Sequence, residues 1–508
     1  MKSDLVIVYH RQPYEEVEVD GKIELRPNKS PNGIVPTLKS FFGEVSHGSW
    51  IAWKLREYGE MADWEQVVTI SDDFGDYSVS RLALTADQVN SFYAVTSKEA
   101  LWPILHSFVD AYDYGPVDWP TFQEVNFLFA QAAAEQAADD AIIWIHDYNL
   151  WLVPVYLRQM KPNARISFFH HTPFPSPDVF NILPWRNEIM DSLLHCDQVG
   201  FHIPRYAVNF ANAARTLFEV SVEEEIEVED GMSPRGMALS EPTIITRLKY
   251  HDQHVNIDAF PVGTNVNYIE EVARSEATET KLAEIKEELA GKRLIVSVAR
   301  TDYTKGTKEM LESFERLLER REDLHGEIRL MCVSVLANQN MAVYRRVQEE
   351  IEGLVGRING RFGTFEWTPI MLFTGAVPLE DLIAYFRAAD VCWLTPLRDG
   401  LNLVCKEYCA ARIDEQGCLV ISEFMGAAVQ LPYAVMTNPY SERFMDAAID
   451  QALDMKPEEQ RARMQMMRRN VSHYDIVQWS QHTMQRFEEL AESRAGRPVS
   501  HKKSAAAE

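Results

Sequence analysis

The chain has 508 residues, 46% of them apolar and 11% aromatic, which suffices for full cores in more than one domain of about 100–200 residues each. A formal charge of −26 excludes a general nucleic-acid binder, because a phosphate backbone would be repelled. Any phosphate ligand must therefore be met by a local cluster of arginine and lysine. The 6 cysteines lie mostly in apolar segments and form no C-x-x-C pair, which suits a reducing compartment. The apolar start at residues 5–9 is too short for a signal peptide, and no run reaches transmembrane length. A cytoplasmic protein with no membrane partner is expected.

Leu5-Val6-Ile7-Val8-Tyr9 is a β-rich run of the kind that fills the centre of a parallel sheet. His10-Arg11 and a polar loop follow, and Pro31-Asn32-Gly33-Ile34 leads into a helical pattern over 35–42. Strand, loop and a Gly-opened helix suit phosphate binding, although Gly33 serves equally well as a plain turn residue. Strands are predicted at 48–53 and 64–71, and Thr85 caps a long helix that carries Tyr93 and Trp102. An amphipathic helix covers 122–138. Two buried strands then end in polar groups, one at His146-Asp147-Tyr148 and the other at His170-His171-Thr172-Pro173. Open α/β sheets place their ligands at such carboxyl ends.

Helices follow over 184–195 and 204–218. The stretch 220–242, with Glu223-Glu224-Glu225 and Asp230-Gly231, reads as a surface insertion, for which a hairpin is the expected form. The pattern restarts near Phe260-Pro261-Val262-Gly263, dividing a domain 1–262 from a domain 263–475. A helix over about 476–492 is expected to complete the first domain, and 493–508 to form a disordered tail. Strands and helices alternate in both halves. The fold class is α/β, with two doubly wound Rossmann-like domains facing across a cleft.

The stretch Thr395-Pro396-Leu397-Arg398-Asp399-Gly400-Leu401-Asn402-Leu403-Val404 joins a buried strand to a helix through a tight Gly turn. Backbone N–H groups there converge with the positive end of the helix dipole behind them. Glu407, read as two turns inside the helix, could accept hydrogen bonds from sugar hydroxyls. These residues alone say phosphate plus polyol, or an ordinary strand-turn-helix. Arg300 and Lys305 lie five apart in a short loop and could clamp a diphosphate, or could be solvated cations. His171 suits either a ligand contact or a hydrogen-bonded core position. His146 and Asp147 lack a third ligand at a convincing spacing, so no metal site is read and a sugar-hydroxyl role fits Asp147 better. Asp399 and Glu407 do not look like the paired carboxylates of a glycoside hydrolase. Neither a Ser/His/Asp triad nor a P-loop occurs.

Six segments in order resemble the retaining glycosyltransferases typified by trehalose-6-phosphate synthase: Ile143-Trp144-Ile145-His146-Asp147-Tyr148, His171-Thr172-Pro173-Phe174-Pro175-Ser176, Leu183-Pro184-Trp185-Arg186, Arg300 to Gly306, Gly356-Arg357-Ile358-Asn359-Gly360 and Thr395 to Glu407. The resemblance covers residues 5 to about 490 and implies the GT-B arrangement, with a nucleotide-sugar donor in the carboxyl domain and no tightly bound cofactor. It implies that Arg300 and Lys305 hold the diphosphate, that Gly33 and the Gly400, Leu401, Asn402, Leu403 and Val404 backbone line the donor, and that Glu407 takes the ribose. Asp399 would lie against the donor glucose and His171 near its 6-hydroxyl. Arg11, Trp53, Tyr93, Asp147 and Arg357 would bind the acceptor sugar phosphate.

Departures from the family pattern fall mostly on the acceptor half: Asn32-Gly33-Ile34 in place of two glycines and a leucine, Ala94 after Tyr93 in place of asparagine, and Thr172 in place of isoleucine. Together they resemble the branch that transfers glucose from ADP-glucose to sn-glycerol 3-phosphate, making a compatible solute under salt stress. Such an enzyme leaves the phosphate of its product to a separate phosphatase. Trehalose-6-phosphate synthesis from glucose 6-phosphate and nucleotide-sugar 2-epimerisation remain as alternatives. Whether the chain forms a homo-oligomer is left open.

Overall fold

A computed structural model describes residues 2–19, 22–27, 34–56, 65–229, 231–336 and 341–495. In the first half the strands are β1 (Ser3–Val8), β2 (Tyr14–Val19), β3 (Lys22–Pro27), β4 (Gly48–Leu55), β5 (Val67–Asp72), β6 (Gly75–Leu84), β7 (Ala137–His146), β8 (Arg165–Phe169), β9 (Gln198–Phe201), β10 (Val220–Glu227), β11 (Thr243–Tyr250) and β12 (Gln253–Ala259). Apart from the β2–β3 ribbon they form one sheet in the order β10-β11-β12-β9-β8-β7-β1-β4-β6-β5. The pairs from β12 through to β6 are parallel, and the strands beyond them at either edge are antiparallel. Buried on both faces, β1 carries the unbroken apolar run that the sequence displays.

The second half contributes β13 (Arg293–Arg300), β14 (Ile328–Val335), β15 (Ile370–Phe373), β16 (Val391–Leu394), β17 (Cys418–Ser422) and β18 (Val435–Thr437). Their order is β15-β14-β13-β16-β17-β18 and all pairs are parallel, the doubly wound arrangement. Strand order reverses between β13 and β16 in this sheet, and between β1 and β7 in the first. Ligands of such sheets sit at those reversals, beyond the carboxyl ends of the strands.

The stretch 220–242 differs from a free-standing hairpin: its first part is β10, an edge strand paired antiparallel with β11. Exposed glutamates along β10 guard that edge against pairing with another chain. Strands β6, β9, β11 and β12 were not foreseen in the sequence, being short or mixed in polarity. The helix after Thr85 is capped by that residue as expected and starts with a capping box, in which Thr85 Oγ1 accepts from the Gln88 amide at 3.2 Å and Gln88 Oε1 accepts from the Thr85 amide at 3.0 Å. It then widens into a π-helix over Asn90–Leu101. Ser97 Oγ donates to the Phe92 carbonyl five residues back at 2.8 Å, a bond that suits the wider turn.

The C-terminal helix Ile476–Ala495 returns to the first half. Trp479, fully buried, meets Trp144, Phe41 and Phe169 with ring centroids 5.5–5.6 Å apart. The outgoing and returning chains lie side by side, with the Ile476 amide donating to the Thr264 carbonyl at 3.2 Å. A Cβ on Gly263 would stand 1.9 Å from the Asp475 carbonyl carbon, so only glycine fits. Buried Lys406 donates to the Val262 carbonyl at 2.9 Å and ties the second half to the same crossing. Gly263→Ala should lower stability by about 1–3 kcal/mol through overpacking against backbone. Gly353→Ala, in the interior of a helix with open space around it, should raise stability by about 0.5–1 kcal/mol. Thermal denaturation of both variants checks the contrast, and equal shifts would contradict it.

Candidate active site

Loops from both strand reversals meet in the cleft. After β13, Asp302 Oδ1 accepts from the Thr304 amide at 2.9 Å and shapes the turn that presents Lys305. After β16, the Leu397 amide donates to the Thr304 carbonyl at 2.8 Å, so the two loops are tied together. Lys305 Nζ lies 2.7 Å from Asp399 Oδ2, and both side chains are largely buried. Burial pushes the Asp399 carboxyl up. Lys305, His106 and the Asn402 amide outweigh it and hold the group below its ordinary value.

Gly400 faces the first half directly, since a Cβ there would stand 2.5 Å from the His171 carbonyl oxygen. Next to it, the Asp399 carbonyl accepts from Tyr206 OH at 3.0 Å and the Leu401 carbonyl from the Ala427 amide at 2.8 Å. Asn402 takes a left-handed φ of 80°, which lets its Oδ1 accept from the Cys405 amide at 3.2 Å. No acceptor among the described residues takes the amides of Leu403 and Val404. The helix starts at Val404, so Glu407 stands in its first turn and not two turns inside. Burial pushes the Glu407 carboxyl up to about 7. This residue lines a cavity of about 560 Å³ together with Leu403, Thr264 and residues of the C-terminal helix.

On the first half, Asp147 follows β7 with a φ of 73°, an unusual backbone for a residue with a side chain. Its Oδ1 accepts from the Tyr148 amide at 3.1 Å and from Thr172 Oγ1 at 3.4 Å. Burial raises the carboxyl to about 6 against the Tyr148 amide, Lys98, the His171 amide and Arg11. His171 Nε2 sits 3.1 Å from His146 Nδ1, and burial lowers its imidazole to about 3, so the ring is neutral.

A second, smaller cavity of about 120 Å³ is walled by Arg11, Tyr93 and Lys98 from the first half and by Arg300, Asp302 and Tyr344 from the second. Arg11, Lys98 and Arg300 have no ion-pair partner among the described residues, in a chain of charge −26. The structure thus brings Arg11, Tyr93 and Arg300 together, and places Asp147 near enough to Arg11 and Lys98 to feel their charge.

Two expected residues stand elsewhere. Arg357 is exposed on the helix Ala342–Phe362 and paired with Glu315 at 2.5 Å, so the structure does not bring it to the cavity. Trp53, near the end of β4, packs on the core of the first half and accepts at its carbonyl from Gln12 Nε2 at 3.1 Å, outside the cavity walls. Gly33 lies outside the described residues.

Lys98 is the residue that sequence reading missed. At about 100° per residue an ordinary helix would turn it roughly 140° away from Tyr93. The π-helix changes that register. The signal available was a single lysine between Tyr93 and Trp102 in an otherwise largely apolar and aromatic helix.

The sequence pattern of Glycosyltransferase family 20 matches residues 3–489. The chain belongs to that family. A glucosylglycerol-phosphate synthase from Synechocystis sp. is 54% identical over 95% of this chain and 97% of its own length. A trehalose-6-phosphate synthase from Mycolicibacterium gilvum is 36% identical over 94% of this chain and 92% of its own length. Among solved structures, the UDP-forming α,α-trehalose-phosphate synthase from Burkholderia xenovorans in complex with glucose-6-phosphate superposes with a TM-score of 0.81, at 28% identity, over 96% of this chain and 100% of that one. Like these relatives, the chain has the α/β fold of the family, with two parallel-stranded sheets.

The Lys305–Asp399 pair can be tested through pH. Asp399 titrates below its ordinary value, so the pair contributes stability that is present above the unfolded carboxylate value of about 3.9 and lost as pH falls through the lowered one. In Lys305→Met, burial acts unopposed by that cation and the protein should lose about 1–3 kcal/mol at neutral pH. Protonation of Asp399 relieves that loss. The deficit in melting temperature relative to wild type should therefore shrink from pH 7 towards pH about 4, and a constant deficit would contradict the pairing.

Proposed function

We propose that this chain is a retaining glucosyltransferase that converts ADP-glucose and sn-glycerol 3-phosphate into glucosylglycerol phosphate and ADP. The observation that carries the reading is the small cavity where the two halves meet, at which Arg11, Lys98 and Arg300 converge with no ion-pair partner among the described residues. In an acidic chain Arg11 and Lys98 there suit a phosphomonoester dianion, which leaves Arg300 to the donor. The 54% identity to a glucosylglycerol-phosphate synthase supports the choice of acceptor.

Residues 1–262, completed by the C-terminal helix, would form the acceptor domain and 263–475 the donor domain. The donor diphosphate would lie against Lys305, Arg300 and the Leu403 and Val404 amides. Glu407 would accept hydrogen bonds from the ribose hydroxyls, which favour its ionised form and offset its burial. Asp399 and Gly400 would bound the glucose, with neutral His171 near its 6-hydroxyl. Asp147 would orient the acceptor hydroxyl, while Arg11 and Tyr93 hold the phosphate.

The carboxylate nearest the donor, Asp399, is engaged by Lys305. The reading is therefore a front-face transfer: the acceptor oxygen bonds to the anomeric carbon on the side the diphosphate leaves. The departing diphosphate oxygen takes the acceptor proton. Lys305 and Arg300 stabilise the charge that grows on the leaving group, an interaction stronger in the transition state than in the ground state. Closure of the two domains would exclude water and suppress donor hydrolysis. A separate phosphatase would release the compatible solute.

Lys305→Ala should lower kcat by at least about 100-fold and leave the acceptor KM within a few-fold. A kcat within a few-fold of wild type would remove Lys305 from this role. Offering ADP-glucose and UDP-glucose with glycerol 3-phosphate or glucose 6-phosphate, and identifying each product, tests the whole reading. Trehalose phosphate as the sole product would overturn it, and ADP release strictly dependent on glycerol 3-phosphate would exclude a 2-epimerase.

A further inference from the structure

Lys98 has the same access to the smaller cavity as Arg11 and Arg300, and a more constrained position. Its Nζ stands 3.8 Å from the centre of the Trp102 ring, with the Tyr93 and Tyr148 rings at 5.8 and 5.9 Å. This aromatic enclosure holds the ammonium by cation–π attraction and supplies no counter-charge. Arg300 faces it from the end of β13, Asp302 from the loop that follows, Arg11 from the loop after β1, and Asp147 from just beyond β7. The acids are committed elsewhere: Asp302 caps its own turn and Asp147 accepts from the Tyr148 amide. The cavity of about 120 Å³ has room for a phosphate group.

We propose that Lys98 is a further acceptor-binding residue: its ammonium, held over Trp102, joins Arg11 in meeting the acceptor's phosphate dianion. The inference rests on the acceptor reading above and adds to it one residue. The π-helix is the device that delivers it. Without the wider turn between Phe92 and Ser97, the side chain would project away from Arg11 and Tyr93.

Steady-state kinetics of wild type, Lys98→Met and Lys98→Arg with glycerol 3-phosphate and with glucose 6-phosphate test the assignment. Lys98→Met should raise the glycerol 3-phosphate KM about 30-fold, with a much smaller change in the donor KM. Lys98→Arg keeps the charge and should keep most of the affinity.

A pH series separates charge from packing. Burial, then Arg300 and Arg11, lower the Lys98 ammonium to about 7. The wild-type acceptor KM should therefore climb above pH about 7 as the ammonium deprotonates, and the climb should be absent in Lys98→Arg. An unchanged acceptor KM in Lys98→Met, or donor and acceptor KM rising together with a lowered melting temperature, would overturn the assignment in favour of a packing role. A wild type that prefers glucose 6-phosphate overturns the acceptor reading. The charge role is then decided by inorganic phosphate as an inhibitor competitive with acceptor: weaker inhibition in Lys98→Met supports it, and equal inhibition removes it.

Discussion

The close approach of the Gly400 backbone to the His171–Thr172 backbone sets the geometry of the whole cleft. No side chain fits between them, so the loop after β16 reaches across and touches the first half directly. Tyr206 secures the contact by donating to the Asp399 carbonyl. Once that loop is seated, Asp399 is fixed, and with it the Lys305 ammonium bonded to it. The two strand reversals, one in each sheet, are thereby held face to face. A backbone contact serves this purpose better than a side-chain contact, because it has no rotamers to lose its position.

Electrostatics divides the molecule into two regimes. On the outer face of the second half, Arg316, Arg320 and Arg321 are matched by Asp446, Asp450 and Asp454, an exposed network with a modest net contribution to stability. Within the cleft the matching stops. Among the described residues Arg11, Lys98 and Arg300 converge without ion-pair partners, and the nearby Asp147 and Asp302 accept from backbone amides. Like charges kept together in this way raise the free energy of the empty site, a penalty that a bound anion would remove. On the proposed function, phosphate affinity in an acidic chain would thereby be confined to one place.

Much of this architecture is legible in the residues. The apolar runs of β1, β7, β13 and β16 announce buried parallel strands, and the polar groups at their ends announce the ligand side of each sheet. Arg300, Lys305, Asp399 and Gly400 could be picked out because their chemistry lies in contiguous loops. Arg357 could not be placed, because its motif occupies a long helix whose orientation depends on tertiary packing. Lys98 escaped because a hydroxyl bonding five residues back changes the helical period, and period is the basis on which side chains are assigned to faces. Strands such as β9 and β12, short and with polar residues among the apolar ones, owe their existence to neighbours already in the sheet.

The double passage of the chain between the halves has one more consequence. Two covalent strands, hydrogen-bonded to each other where Gly263 meets Asp475 and pinned by Lys406 at Val262, act as a spine: they resist sliding and twisting, and leave rotation about a single axis as the soft motion. The smaller cavity has Arg11 and Lys98 on one cover of that book and Arg300 and Tyr344 on the other. On the proposed function, a phosphate held between them would be a latch as well as a ligand: its arrival would close the covers, and a product carrying the same phosphate would have to loosen that latch before leaving.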